Sequence, residues 1–185
     1  MHTILPLEEN PVIRDVSRSI PSANIRSKKI QTLISDMKKL LAKEPYGVAL
    51  AAVQVGEPVR LFIVAGRALA LDTRNAPDEP KNHEASLHGT SSAVVADQIY
   101  INPVLRKVSR KKTDKHEGCL SVRGKWGEVP RAEKATLQYV DEEGHPQTRG
   151  ASGFLAHIFQ HEMDHLEGIL YTDKASAIYD EQPKT

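Results

Sequence analysis

The amino-acid sequence predicts an α+β fold in which short, mostly antiparallel strands pack around a buried C-terminal helix, with an amphipathic helix near the N-terminus. Apolar residues recur at helical spacing between residues 30 and 41 and again between 152 and 167. Several runs of four to six residues are wholly apolar or alternate with polar residues, as strands do. Their connections are too short for helical crossovers, so neighbouring strands should pair antiparallel.

Length and composition predict one globular domain over residues 1–185. The formal net charge is +1, which gives no electrostatic reason to expect a nucleic acid or a membrane surface as a partner. No run of about 18 apolar residues is present, so no membrane span is expected. The N-terminus lacks a secretory pattern and Cys119 is the single cysteine, which together predict a cytoplasmic location.

The first long element is the amphipathic helix. Asn24 or Ser27 could cap its start, and Pro45 prevents it from continuing far. Its apolar positions are Ile30, Leu33, Ile34, Met37, Leu40 and Leu41.

Small residues fill the next stretch, residues 47–56, so another backbone or a ligand can approach it closely. Gln54 is a lone polar side chain there and needs a hydrogen-bond partner if it is buried. Strands are expected at residues 61–64, 98–101 (stopped by Asn102-Pro103), 104–109 and 135–140.

Two segments lack this regularity. Residues 66–97 show no sustained periodicity and are predicted to be a surface insertion. Residues 172–185 are polar and are predicted to be a loose tail.

The last large element is a helix over residues 152–167, with Gly168 suited to follow its end. It is apolar on two sides, which indicates burial. One side carries Phe154, Ile158, His161 and His165.

This helix contains the motif H-E-x-x-H. His161 and His165 lie one turn apart on one face and could reach the same metal ion, with Glu162 beside it. Two core histidines bonded to backbone are the alternative. The third ligand of a peptidase is not evident downstream, where Tyr171 stands at the position of a metzincin histidine. Upstream, Cys119 is a candidate.

Three segments resemble the signature motifs of the peptide deformylase family. Residues 47–56, 117–121 and 160–165 are similar to G-x-G-L-A-A-x-Q, E-G-C-L-S and Q-H-E-x-D-H, in that order. The resemblance extends through residues 129–134 and 141–144 and covers most of the chain.

The resemblance implies a hydrolase that removes the N-formyl group from the formyl-methionine end of newly synthesised polypeptides and releases formate. It implies one divalent metal ion, Fe(II) in this family, although thiolate and imidazole also accept Zn(II) or Ni(II). The implied metal ligands are Cys119, His161 and His165, with water in the fourth position. Glu162 would carry the proton, and the Gln54 amide and the Leu120 backbone N–H would stabilise the oxyanion.

The implied substrate site is an apolar methionine pocket lined by Val48, Phe154 and Ile158. The backbone of Ala49 and Gly118 would pair with the peptide as an added strand. Nascent peptides, and transiently the ribosome, are the implied partners.

Four residues depart from the family pattern. Ala49 replaces a glycine, Tyr46 replaces an acidic residue that could pair with Arg131, and Arg123 replaces a proline. The fourth, His157, lies one helical turn before His161. His157 could line the pocket, ligate the metal or belong to the core. Two alternative functions therefore stay open, a related amidase with another acyl substrate and a catalytically weak protein that binds N-terminal peptides.

Overall fold

The structure is a computed structural model that describes residues 2–70 and 95–180. The helices are α1 (Lys28–Lys43), α2 (Gly66–Leu69) and α3 (Gly153–Leu166). The strands are β1 (Ala49–Ala51), β2 (Leu61–Val64), β3 (Gln98–Val108), β4 (Lys112–Cys119), β5 (Val122–Ala132), β6 (Lys134–Val140), β7 (Pro146–Ser152) and β8 (Ala177–Asp180).

These strands form two sheets. Five strands pair in the order β1-β2-β3-β6-β7, and three pair in the order β4-β5-β8. Every pairing between these strands is antiparallel. The α+β fold predicted from the sequence is confirmed.

The five-stranded sheet lies between the two long helices. Along β2, Phe62 and Val64 pack with α3, whereas Leu61 and Ile63 pack with α1. This follows from the period of two in a strand, which sends alternate side chains to opposite faces. Burial on both faces explains why β2 is wholly apolar.

Aromatic packing fixes α3 on its side of the sheet. The ring centroids of Phe62 and Tyr100 are 4.6 Å apart, and Phe159 of α3 meets Tyr100 edge-on at 5.1 Å. All three residues are fully buried. Such side chains contribute about 1.5–3 kcal/mol each on burial, so α3 is held where its histidines must lie.

Helix α1 begins where the sequence predicts. Ser27, rather than Asn24, is its N-cap residue, and the Ile30 backbone N–H donates to the Ser27 hydroxyl at 3.4 Å. The predicted apolar stripe is buried except at Leu40, which is partly exposed.

The predicted strand end at Asn102-Pro103 is wrong, because β3 continues through this dipeptide. The register with β6 shifts between Ile101 and Val104, and Asn102 adopts a φ of 49°. Its side chain bonds both the N–H and the carbonyl of Ile20 at 2.8 Å. A bulge therefore accommodates the proline without ending the strand.

Two predicted boundaries also need correction. The insertion does not begin at residue 66, since Ala68 and Leu69 of α2 are buried in the core. Residues 71–94, which hold most of it, lie outside the described residues. The tail is not loose throughout, because β8 pairs with β5 from Lys125 to Glu128. No helix within the described residues is long and apolar enough to cross a membrane.

Candidate active site

Helix α3 brings the paired histidines to the end of β4. The His161 and His165 rings lie with their centroids 4.9 Å apart, and His165 is almost wholly buried. Cys119 is the last residue of β4, before a two-residue turn into β5. Its Sγ lies 3.3 Å from His165 Nε2. The structure thus brings together a strand end and a helix turn that are 42 or more residues apart in sequence.

These three residues form a donor set for a metal ion. One ligand atom from each lies within 4.8 Å of the others. Thiolate and imidazole donors suit a divalent transition metal, and three protein ligands leave a position open for catalysis. The described residues hold one other such group, Asp141, Glu143 and His145, on an exposed turn.

Electrostatics favour the thiolate. Burial alone would raise the pKa of the Cys119 thiol, but the His165 and His161 imidazoles lower it to about 5. Burial likewise opposes a charge on His161, yet Cys119 and Glu117 raise its pKa to about 10. Because a thiolate is the ligating form of cysteine, this environment prepares Cys119 to hold a metal.

Glu117 is the residue that sequence reasoning missed. It is buried, and its Oε2 accepts a hydrogen bond from His161 Nδ1 at 2.7 Å. That contact leaves His161 Nε2 to face the other two ligands, as a carboxylate behind a ligating histidine does. Its place in the E-G-C-L-S motif, two residues before Cys119, is the sequence signal that could have identified it.

A buried ion pair holds Glu117 in turn. Arg131 donates from Nε to Oε1 at 2.6 Å and from Nη2 to Oε2 at 2.9 Å. Arg131 Nη1 also donates to Asp164 at 2.6 Å, and Lys174 reaches the other oxygen of Asp164 at 2.6 Å. Arg131 therefore has two acidic partners, Glu117 and Asp164. It does not need an acidic residue at position 46, where Tyr46 departs from the family pattern.

Glu162 lies in the wall of the same cavity as Cys119 and His161. It is buried, and its Oε2 has no hydrogen-bond partner in the described part of the chain. Burial raises the pKa of this carboxyl, although the His161 and His165 imidazoles oppose the shift. A buried carboxyl with a raised pKa and a free oxygen is suited to accept and release a proton.

Gln54 is oriented by its own turn. Its Oε1 accepts from the Ala51 N–H at 2.9 Å, which directs Nε2 toward Cys119 Sγ and Ser121 Oγ, each at 3.3 Å. The lone polar residue of this segment thus has partners and presents a donor beside the ligand set. Leu120 occupies the turn after Cys119 and lines the same cavity.

The cavity has a volume of about 490 Å³. Two edge strands flank it, β1 of the larger sheet and β4 of the smaller. Its wall includes all five residues predicted to bind substrate, Val48, Ala49, Gly118, Phe154 and Ile158.

The remaining departures have structural explanations. Ala49 lies in β1 with an ordinary backbone, since Asn102 is the one non-glycine residue with positive φ in the described ranges. Arg123 pairs with Glu44 at 2.8 Å at the rim of the cavity. His157 is buried in the cavity wall with its Nε2 2.9 Å from Glu117 Oε1.

Comparison with known proteins identifies relatives over nearly the whole chain. The polypeptide deformylase family model matches residues 1–181. A peptide deformylase of Brucella suis is 34% identical over 95% of this chain and 83% of its own. The chloroplastic/mitochondrial peptide deformylase 1A of Arabidopsis thaliana is 36% identical over 89% of this chain and 58% of its own. The Met-Ala-Ser-bound crystal structure of an Acinetobacter baumannii peptide deformylase superposes with a TM-score of 0.74 at 28% identity, covering 94% of this chain and 99% of that one.

Proposed function

The chain belongs to the polypeptide deformylase family, a metal-dependent hydrolase that removes the N-formyl group from newly synthesised polypeptides, and we propose which of its residues do so. Cys119, His161 and His165 hold the metal ion, and Glu162 carries the proton. One observation supports the proposal: the ligand atoms of Cys119, His161 and His165 converge, and two of these residues, Cys119 and His161, line the same cavity as Glu162 and Gln54.

A divalent ion held there supplies Lewis-acid activation of water and of the formyl carbonyl. Glu162 takes the proton of the attacking water on its free Oε2 and delivers it to the departing amine. The products are formate and a free amino terminus. Gln54 Nε2 and the Leu120 N–H donate to the oxyanion of the tetrahedral intermediate, and the Ala51 contact keeps the Gln54 donor in place.

The first side chain of the substrate enters the apolar part of the cavity, between Val48, Phe154 and Ile158. The peptide backbone lies between the two edge strands and pairs with Ala49 and Gly118. A Cβ atom at position 118 would lie 3.3 Å from the Trp126 ring, so glycine permits this close packing. The Met-Ala-Ser peptide bound by the Acinetobacter relative supports such a site.

Fe(II) is the proposed metal, and Zn(II) or Ni(II) can replace it in purified protein because the donor set of one thiolate and two imidazoles accepts all three. The test compares protein loaded with each metal under anaerobic conditions. The Fe(II) form should be active and should lose activity in air as the ferrous site oxidises. An active Zn(II) form beside an inactive Fe(II) form would contradict the proposal.

We also propose that the protein is cytoplasmic, that it associates transiently with the ribosome and that it forms a single domain. A free thiol ligand suits a reducing compartment, and a nascent peptide is presented at the ribosome. Cell fractionation, co-sedimentation with translating ribosomes and a single unfolding transition test the three points separately.

The activity is tested with formyl-Met-Ala-Ser and acetyl-Met-Ala-Ser as paired substrates for anaerobically prepared Fe(II) protein. Formate should be released from the first and almost no acetate from the second. Turnover of the acetyl peptide alone would favour the related amidase. Tight binding of both peptides without turnover would indicate a peptide-binding protein.

A further inference from the structure

His157 is a buried polar residue that the proposed mechanism does not use. It lies one helical turn before His161 on α3, and 8% of its surface is exposed. It lines the substrate cavity beside Phe154, whose ring meets it edge-on with the centroids 5.9 Å apart. Burying a histidine costs desolvation free energy unless its polar atoms have partners.

The partner of His157 is the carboxylate that holds His161. Glu117 Oε1 lies 2.6 Å from Arg131 Nε and 2.9 Å from His157 Nε2. Glu117 Oε2 receives Arg131 Nη2 at 2.9 Å and His161 Nδ1 at 2.7 Å. A carboxylate offers about four acceptor sites, so these four polar contacts occupy its full capacity. His157 supplies the last of them.

The spacing on α3 gives this arrangement its geometry. Residues four apart share a helix face, so His157 and His161 approach Glu117 from the same side and take one oxygen each. With Arg131 on both oxygens, the carboxylate is held at each end. Loss of the His157 contact would leave Oε1 with Arg131 alone and would fix the orientation of the carboxylate toward His161 less tightly.

We propose that His157 is a positioning residue that, through Glu117, fixes the orientation of metal ligand His161, while its ring forms part of the substrate cavity. The inference rests on the proposed ligand set. It gives His157 a role distinct from that of a ligand and from that of an apolar wall residue. The cavity and the metal centre thus share one hydrogen-bonded side chain.

The test measures the rate at which the Zn(II)-loaded enzyme loses zinc to excess chelator, together with formate release. His157→Gln keeps a donor at the same reach from the backbone as Nε2. His157→Asn is equally polar but too short to reach Glu117. His157→Leu fills the space without any donor. The Leu and Asn variants should lose zinc about 5- to 10-fold faster than wild type, and the Gln variant within about 2-fold of it.

Each other pattern overturns the inference. A packing role predicts that Leu preserves zinc retention and Gln does not. A role as pocket wall alone predicts changed KM in all three variants with zinc loss unchanged. If wild-type protein does not hold about one zinc per chain, the proposed ligand set itself is wrong, which is a failure distinguishable from those of the variants.

Discussion

At the scale of single residues, the buried carboxylate of Glu117 links the Arg131 guanidinium to His161 of the proposed metal site. Its charge is balanced by Arg131, whose own charge is shared with Asp164. A pair buried to this extent is weak evidence for net stability, but removing one partner typically costs about 3–5 kcal/mol because the other charge is stranded. The buried pair therefore fixes the position of His161, because losing either partner would destabilise the folded protein.

Glu117→Gln should lower the free energy of unfolding of metal-free protein by about 3 kcal/mol at pH 7. Burial alone would raise the pKa of Glu117, but Arg131, His157 and His161 hold it well below its usual range. A carboxyl with a depressed folded pKa stabilises the fold fully above its unfolded pKa of about 4.3 and loses that contribution below it.

The difference between wild type and Glu117→Gln should therefore be constant from pH 7 to 5 and shrink below about pH 4. Denaturant unfolding at three pH values measures it, with Glu143→Gln on the exposed turn as the control. A difference that grows as the pH falls from 5 to 3 would contradict the ion-pair account.

Cys119→Ser should weaken metal binding by at least about 100-fold, because a serine hydroxyl is not ionised at neutral pH and is a poor substitute for a thiolate. Metal stoichiometry and the thiolate-to-metal absorption of the Co(II) form report the change. Unchanged stoichiometry and absorption would mean that the third ligand lies elsewhere.

The residues proposed to carry the chemistry could be placed near one another from the sequence because each lies in a short motif with a fixed spacing. Cys119, His161, Glu162 and Gln54 are all brought to one cavity. The partnership of Glu117 with Arg131 could not be predicted. It depends on the register of the β4–β5 hairpin and on side-chain reach across it, neither of which a single sequence specifies.

At the scale of elements, the end of α3 depends on a glycine. Gly168 has a φ of +71°, and a Cβ there would lie 2.2 Å from the Arg14 carbonyl oxygen. The preceding turn of the helix carries His165, so the end of the helix and the metal site are close in sequence. The predicted role of Gly168 after the helix end is consistent with this conformation.

Gly168→Ala should lower the free energy of unfolding by at least about 3 kcal/mol, since backbone strain and a backbone collision add. Gly144→Ala is the matched control, because Gly144 also has positive φ (94°) but nothing lies within 4 Å of its Cβ position. The control should cost about 1 kcal/mol. Equal losses in chemical denaturation would show that the Arg14 contact relaxes freely.

Strand β8 and the bulge in β3 are two structural features that the sequence pattern does not predict. All four residues of β8 are exposed, so the strand is ordered by backbone pairing with β5 and carries no buried face to detect. The β3 bulge is stabilised by the Asn102 side chain bonded to Ile20, a contact 82 residues away in sequence. Helices α1 and α3 were predictable because their apolar stripes are local and long.

At the scale of the whole molecule, the proposed metal site joins the two sheets. Cys119 ends a strand of the three-stranded sheet, whereas α3 packs against the five-stranded sheet. A ligand that binds only the folded state stabilises it by about 2.7 kcal/mol at 100 times its Kd. Metal bound by these residues should therefore stabilise the whole fold rather than one loop.

Removal of the metal should lower the Tm by about 5–10 °C, given about 2–4 °C per kcal/mol for a chain of this size. Calorimetry of the loaded and chelated protein measures the difference. Cys119→Ser should show almost no metal-dependent shift. A Tm that does not depend on metal in wild-type protein would contradict a site shared by the two sheets.

Glu162 is proposed to carry the proton in a metal-dependent deformylation and not to hold the metal. The most direct test is formate release from formyl-Met-Ala-Ser by wild type and Glu162→Gln at equal metal content. Glu162→Gln should retain about one metal ion per chain and lose at least about 100-fold in kcat, since general acid–base catalysis contributes that much. A Glu162→Gln protein that keeps its metal and releases formate at the wild-type rate would contradict this proposal.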